Sequence, residues 1–205
     1  TWEKIRDTQK AGAKLMTTSG AHDFLVERGV IPDFHAQCDP RPEKPQFVQK
    51  PQKETTYLLA SVVHPDVYAH LKDYRIVQWH LQNKKTDIGV VKELATGDFL
   101  VIAGSTIGLG AISLSRIMGY RDIEIHAMDS SNRSGERHAG PHGGKFKKSM
   151  FVTAESGRTF ETTAQMVSQA REFSTLVWFI GDLKVTLWGD GLLQEMLRGK
   201  LSKAA

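Results

Sequence analysis

Apolar residues along this chain fall in short blocks divided by glycine, proline and charged turns, and the blocks alternate between strand-like and helix-like rhythms. Residues 13–18 (AKLMTT) read as a short strand that Ser19 and Gly20 turn. Residues 21–28 read as a helix with Phe24 and Leu25 inward, ended by Gly29. Pro32 and Asp33 then open a strand over 34–39. A strand–helix–strand unit of this kind predicts parallel pairing with a right-handed crossover. Residues 40–54 hold four of the seven prolines and read as a surface loop, of a length that is functional or mobile when unstructured.

The alternation continues beyond the loop. Residues 55–63 (TTYLLASVV) predict a strand, Pro65 opens a helix running to about Lys72, and 74–81 (YRIVQWHL) predict another strand. A short helix is expected over 86–95, with Ile88 and Val91 on one face. The run FLVIA at 99–103 has the continuous apolar character of a central parallel strand covered on both faces. Gly104 to Gly110 turn it, 109–118 form a nearly all-apolar helix ended by Gly119, and 123–128 form a strand closed by Asp129. A polar loop fills 130–148 and a strand follows near 149–154. Residues 159–173 are expected as a helix with Phe160, Ala164, Val167 and Phe173 on one stripe. Strands at 176–180 and 184–188, a helix at 192–197 and a basic tail complete the pattern. The whole predicts a Rossmann-like three-layer α/β sandwich with a mainly parallel sheet, as a single domain over residues 1–205.

Composition changes little in this picture. The hydrophobic fraction of 40% is that of an ordinary globular chain, and no run of eighteen apolar residues suggests a membrane span. No secretory signal opens the sequence, which starts at Thr1. Cys38 is the only cysteine, so no internal disulfide forms, and a cytoplasmic, reducing setting is expected. Cys38 itself is expected to be a buried thiol and not a nucleophile. The net charge of +4 and pI near 9.1 come from local clusters such as Lys145, Lys147 and Lys148. That modest excess suits phosphorylated small molecules, and with no recognition motif present nucleic acid is not an expected partner. A homo-oligomer is compatible with the sequence.

Three places carry candidate chemistry. The first is GSTIGLGA, 104–111, between a strand and a helix. Helix N-termini offer free N–H groups and a positive dipole end, so Gly104, Ser105, Thr106 and Gly108 are candidates to hold a phosphate. The alternative is packing, with Gly108 and Gly110 letting the helix lie close on the sheet. The second is the pair Asp39 and Asp129, each ending a strand. Open α/β sheets bind ligands beyond the carboxyl ends of their strands, and two carboxylates near phosphates commonly hold Mg2+. The alternative is that each only caps a turn. Asp33 is expected as a turn residue. The third is RHAGPHGGKFKK, 137–148, where His138 and His142 could serve acid–base chemistry beneath a basic lid. A solvated loop is the plainer alternative, and a zinc site would need further ligands. His64, His80 and His126 are expected to be packing residues, while His22 begins a helix beside the Ser19–Gly20 turn.

The stretches TTSGAHDFLVERGVIPDFHAQCDPRP (17–42), GSTIGLGAISLSRIMGYRDIEIHAMDSS (104–131) and, more weakly, 160–173 resemble the MptE-like family, named after an archaeal 6-hydroxymethylpterin diphosphokinase. The resemblance implies a Rossmann-like fold related to some sialyltransferases. It implies Mg2+-dependent transfer of a diphosphate from ATP to a small alcohol such as a hydroxymethylpterin. Relatives acting in flagellin glycosylation make a sugar nucleotide the alternative substrate, and a non-catalytic nucleotide-binding module is a third reading. By position, Ser19, Asp39, Gly104, Ser105, Thr106 and Asp129 would line the nucleotide site; read from the residues themselves, Gly20 joins Ser19 as a candidate there, and Asp129 and His142 are the candidate catalytic groups. The chain departs from the family pattern in one respect: the usual opening Gly-rich strand is not present before residues 2–10, which look like the helix that would follow it.

Overall fold

The computed structural model describes residues 2–42, 47–82, 100–132 and 149–198. These fall into two compact units, one ending at Ala103 and the other beginning at Gly104.

The first unit contains α1 (Trp2–Lys10), β1 (Met16–Thr18), α2 (Ala21–Val26), β2 (Phe34–Gln37), β3 (Thr56–Ala60), α3 (Pro65–His70), β4 (Arg75–Gln82) and β5 (Leu100–Ile102). The five strands form one sheet in the order β1-β2-β3-β4-β5, and every neighbouring pair is parallel. Parallel pairing requires a crossover between strands, and α2 and α3 supply two of these. Gly29, at φ +72°, ends the first crossover helix as its position in the sequence predicts. Pro65 opens α3 at its first turn, and His64 caps it: the imidazole Nδ1 accepts the Asp66 N–H at 3.2 Å. His64 is thus a cap, not the packing residue expected. Asp33 is a staple as well as a turn residue, since its carboxylate accepts from Leu15 N (2.9 Å), Lys14 Nζ (2.7 Å) and Gln9 Nε2 (3.3 Å). Burial pushes the Asp33 carboxyl up, but these three donors outweigh it and hold it below the ordinary range.

Among the described residues, the strand expected to be central is β5, at the edge of the sheet and paired with β4 alone, and Ile102 is exposed. A continuous apolar run is also compatible with an edge whose alternate residues, Val101 and Ala103, are buried.

The second unit contains α4 (Ile107–Ile117), β6 (Asp122–His126), β7 (Met150–Thr153), β8 (Thr159–Thr162), α5 (Ala164–Ile180), β9 (Lys184–Trp188) and α6 (Leu192–Leu197). Strands β6 and β9 pair in parallel, while β7 and β8 form an antiparallel hairpin turned at Gly157. Leu109 and Ile112 from α4, Ile125 from β6, Ala170, Phe173 and Leu176 from α5, and Leu193 and Leu197 from α6 make one core. Arg158 joins the hairpin to α6, donating at 2.8 Å to both Asp190 and Glu195.

Two expectations fail here. Residues 159–162 are a strand, and the helix starts only at Ala164, because Thr163 is extended and its hydroxyl caps Met166 N. Residues 176–180 are not a strand but the last turns of α5. Their β-branched and aromatic side chains favour strands locally. Yet Ala170, Phe173 and Leu176 repeat at helical spacing, and that buried stripe decides the conformation. The expected helix over 86–95 and the histidine loop, including His138 and His142, lie outside the described residues.

Candidate functional site

In the second unit the Gly104 turn is built as the sequence predicts, but α4 starts earlier than expected, at Ile107. Thr106 is its N-cap, with extended backbone and a hydroxyl accepting Leu109 N–H. Gly108 and Gly110 therefore lie within the helix and not in the turn. A Cβ on Gly108 would come within 2.6 Å of Met128 Cε, so this glycine makes room for the chain leaving β6. Gly104 has φ +57°, and a Cβ there would meet Leu109 at 2.7 Å and Glu172 Oε2 at 2.9 Å.

An anion already sits at this turn, and the protein supplies it. Glu172, on α5, accepts the Ser105 N–H at 2.7 Å. One helical turn earlier, Gln169 donates to Thr106 Oγ1 at 2.9 Å and accepts from Ser130 Oγ at 3.0 Å. The Ser130 carbonyl in turn accepts from Thr162 Oγ1 at 2.8 Å. Ser105 and Thr106 are thus joined through α5 to the segment that follows β6. Neither Gln169 nor Glu172 stands out in the sequence, because each lies far along the chain inside an ordinary helical stripe.

Asp129 sits in that same segment, between Ala127 (φ +58°) and Ser130 (φ +53°), two non-glycine residues in left-handed conformations. Such conformations cost of order 1 kcal/mol each and gather at functional sites. The segment also caps α6: the Asp129 carbonyl accepts Leu193 N–H at 3.0 Å and Ser131 Oγ accepts Leu192 N–H at 3.2 Å. Gly189 and Gly191 are shaped to Asp129, since a Cβ on either would collide with it.

In the first unit, Ser19 (φ +48°) and Gly20 make the β1–α2 turn. Asp39 follows β2, and its carboxylate is taken up by Arg41, which donates from its backbone N (3.1 Å), Nε (2.9 Å) and Nη2 (2.5 Å). A metal ion at Asp39 would compete with this guanidinium fork. Among the described residues no three His, Cys, Asp or Glu side chains cluster as a metal cage. Burial, with the neighbouring Asp39 charge, pushes the Cys38 thiol up to about 11, so it stays protonated at neutral pH.

Behind the β1–α2 turn lies a polar cluster that the sequence reading missed. Thr17, His35 and Tyr57 are cross-strand partners on β1, β2 and β3, and all three are buried together with His22. The His22 and His35 rings meet edge-on with centroids 5.1 Å apart. Thr17 Oγ1 donates to the Phe34 carbonyl at 3.3 Å, so toward His35 Nδ1, 3.1 Å away, it acts as acceptor. The proton of His35 is thereby placed on Nδ1, leaving Nε2 as a buried acceptor with no hydrogen-bond partner. Burial, reinforced by His22, pushes the His35 imidazole down to about 3. The only sequence signal was a polar residue at an inward position of a strand.

No known protein family matches the sequence, and no curated protein matches it. Among solved structures, the fold is similar to that of the MAf glycosyltransferase from Magnetospirillum magneticum AMB-1. The match has a TM-score of 0.64 at 12% identity and covers 98% of this chain. The chain spans 34% of the length of that structure. At this identity the likeness defines the fold, and the parallel sheet flanked by helices is Rossmann-like as expected. No helix among the described residues is long and apolar enough to cross a membrane.

Proposed function

We propose that this chain is the nucleotide-binding part of a glycosyltransferase that moves a sugar from a sugar nucleotide to a hydroxyl acceptor. The observation that carries the proposal is the match of nearly the whole chain to a glycosyltransferase fold. The residues suit that chemistry. Glu172, Gln169, Thr106 and Ser130 are acceptors and donors of the kind that bind ribose or sugar hydroxyls. Asp129, after β6, is assigned as the base that takes the proton of the acceptor hydroxyl as the glycosyl bond to the leaving nucleotide breaks. His142 is assigned to assist as acid or base. A Mg2+ ion would arrive with the nucleotide's diphosphate and neutralise part of its charge.

Diphosphate transfer from ATP, which the sequence resemblance implies, is the competing reading. A thermal-shift panel separates them: cytidine-type sugar nucleotides are expected to stabilise the chain more than ATP, with and without Mg2+. A ligand at a hundredfold its Kd stabilises by about 2.7 kcal/mol, well within detection. ATP consumption yielding AMP with a hydroxymethylpterin acceptor would replace the glycosyltransferase reading. Asp129→Asn is expected to abolish turnover while the melting temperature changes little. Retained turnover would remove Asp129 from the mechanism.

A further inference from the structure

His22, Asp23 and Tyr57 connect to residues 47–52 in a way that the proposed reaction does not use. His22 is fully buried, with Nδ1 2.8 Å from Asp23 Oδ1 and Nε2 3.3 Å from Tyr57 Oη. Burial pushes the Asp23 carboxyl up, but the His22 bond and two backbone amides outweigh it and keep it below its ordinary range. As a carboxylate it only accepts, so His22 Nδ1 carries a proton toward it, and the Tyr57 hydroxyl lies against both His22 Nε2 and the Gln52 carbonyl, the latter at 3.4 Å. The two ends of this relay reach the same short segment. Asp23 accepts N–H groups from Gln49 (2.7 Å) and Lys50 (3.3 Å), and Tyr57 Oη accepts the Gln52 N–H (2.7 Å). Three backbone donors thus end on two side chains that meet at one imidazole.

The segment also touches the β1–α2 turn. The Phe47 ring comes within 3.7 Å of where a Gly20 Cβ would stand, and Phe47 and Val48 are buried. His70 on α3 adds a separate tie, donating from Nε2 to the Val48 carbonyl at 2.7 Å. The turn itself is closed by His22 N–H donating to Ser19 O at 3.4 Å.

We propose that residues 47–52 form a strap on the Ser19–Gly20 turn, and that the Asp23–His22–Tyr57 relay is its latch. The strap opens as one unit, and opening it frees the turn. The latch does not rest on the glycosyltransferase reading, because its bonds are internal to the first unit.

Amide hydrogen exchange on the whole chain tests this. Tyr57→Phe removes one oxygen and keeps the ring in place. It is expected to speed exchange at Gln52 by about tenfold, the scale of one lost buried hydrogen bond. A comparable acceleration is expected at Gln49 and Lys50, which Tyr57 does not touch, and at His22, with none at Ala36 or Leu58 in the sheet. Acceleration at Gln52 alone would show independent bonds and overturn the latch. Unchanged exchange at His22 would overturn the coupling to the turn, and acceleration throughout the sheet would reduce Tyr57 to a packing role. If Tyr57→Phe does not fold, Asp23→Asn gives the reciprocal reading: Gln52, which Asp23 does not touch, must accelerate along with Gln49 and Lys50.

Discussion

Glu172 places a carboxylate at the turn proposed to hold a ligand's phosphate. Its bond to Ser105 N–H takes up the backbone donor just before the N-cap Thr106, so an anion binding at that donor must displace a tethered one. Glu172→Gln keeps an acceptor near Ser105 and removes the charge. Nucleotide affinity measured by calorimetry is expected to rise by about fivefold, as for a single like charge removed near a surface. Urea titration should show a stability loss of no more than about 1 kcal/mol. Unchanged or weaker nucleotide binding would mean that the phosphate does not use this turn. At this scale the sequence was informative about backbone positions and poor about partners. Ser105, Thr106 and Asp129 stand out because strand-to-helix turns announce themselves with glycine, hydroxyl and acidic residues. Glu172, Gln169 and His35 do not, because what gives each a role is a neighbour 39 to 67 positions away or across a strand pair that periodicity alone cannot register.

Among the elements, a glycine in the first turn of α4 and the glycine that precedes α6 separate a tolerant position from an intolerant one. At Gly108, a new Cβ meets only the tip of Met128, a flexible side chain. Alanine there gains up to about 1 kcal/mol of helix propensity. Gly108→Ala is therefore expected to leave stability within about 1 kcal/mol of the parent. At Gly191 a Cβ would land on the backbone of Asp129, which cannot step aside without uncapping α6. Gly191→Ala is expected to cost about 2 kcal/mol or more. Equal midpoints for the two variants in urea would contradict this packing. The elements were the most legible part of the chain. The helix over 192–197 and the strand over 184–188 lie where the pattern puts them. Two signals mislead at 159–180: Phe160 falls on the helical stripe of the residues after it although Thr159 and Thr162 favour a strand, and the run LVWFI favours a strand but closes a helix. A hairpin partner decides the first and a buried stripe the second.

For the molecule as a whole, acid is the condition to which its stability should respond most. His35 is neutral when folded and takes up a proton when unfolded. Its folded value near 3 lies below the ordinary 6.5, so the unfolded chain binds more protons between these limits. Stability from this group is complete above pH 6.5 and falls as pH drops toward 3, by about 1.4 kcal/mol per pH unit. Asp23 and Asp33, held below their ordinary 3.8, add to the loss as pH falls below that value. Urea midpoints across pH 4 to 8 should slope downward toward acid below about 6.5, and His35→Gln should flatten the slope. A flat profile in the parent would show that His35 is not buried neutral. The overall architecture was legible because a parallel α/β sheet leaves a repeating imprint on the sequence, whereas the polar cluster inside it is three residues drawn from three separate blocks. Thr17 bonds His35, and the His35 and Tyr57 rings meet edge-on, only when β1, β2 and β3 are aligned as observed. A shift of one position in β2 would turn His35 away from Thr17 and send Ala36 into its place. The row therefore favours one alignment of these strands, because a slip leaves Thr17 and His35 buried without each other.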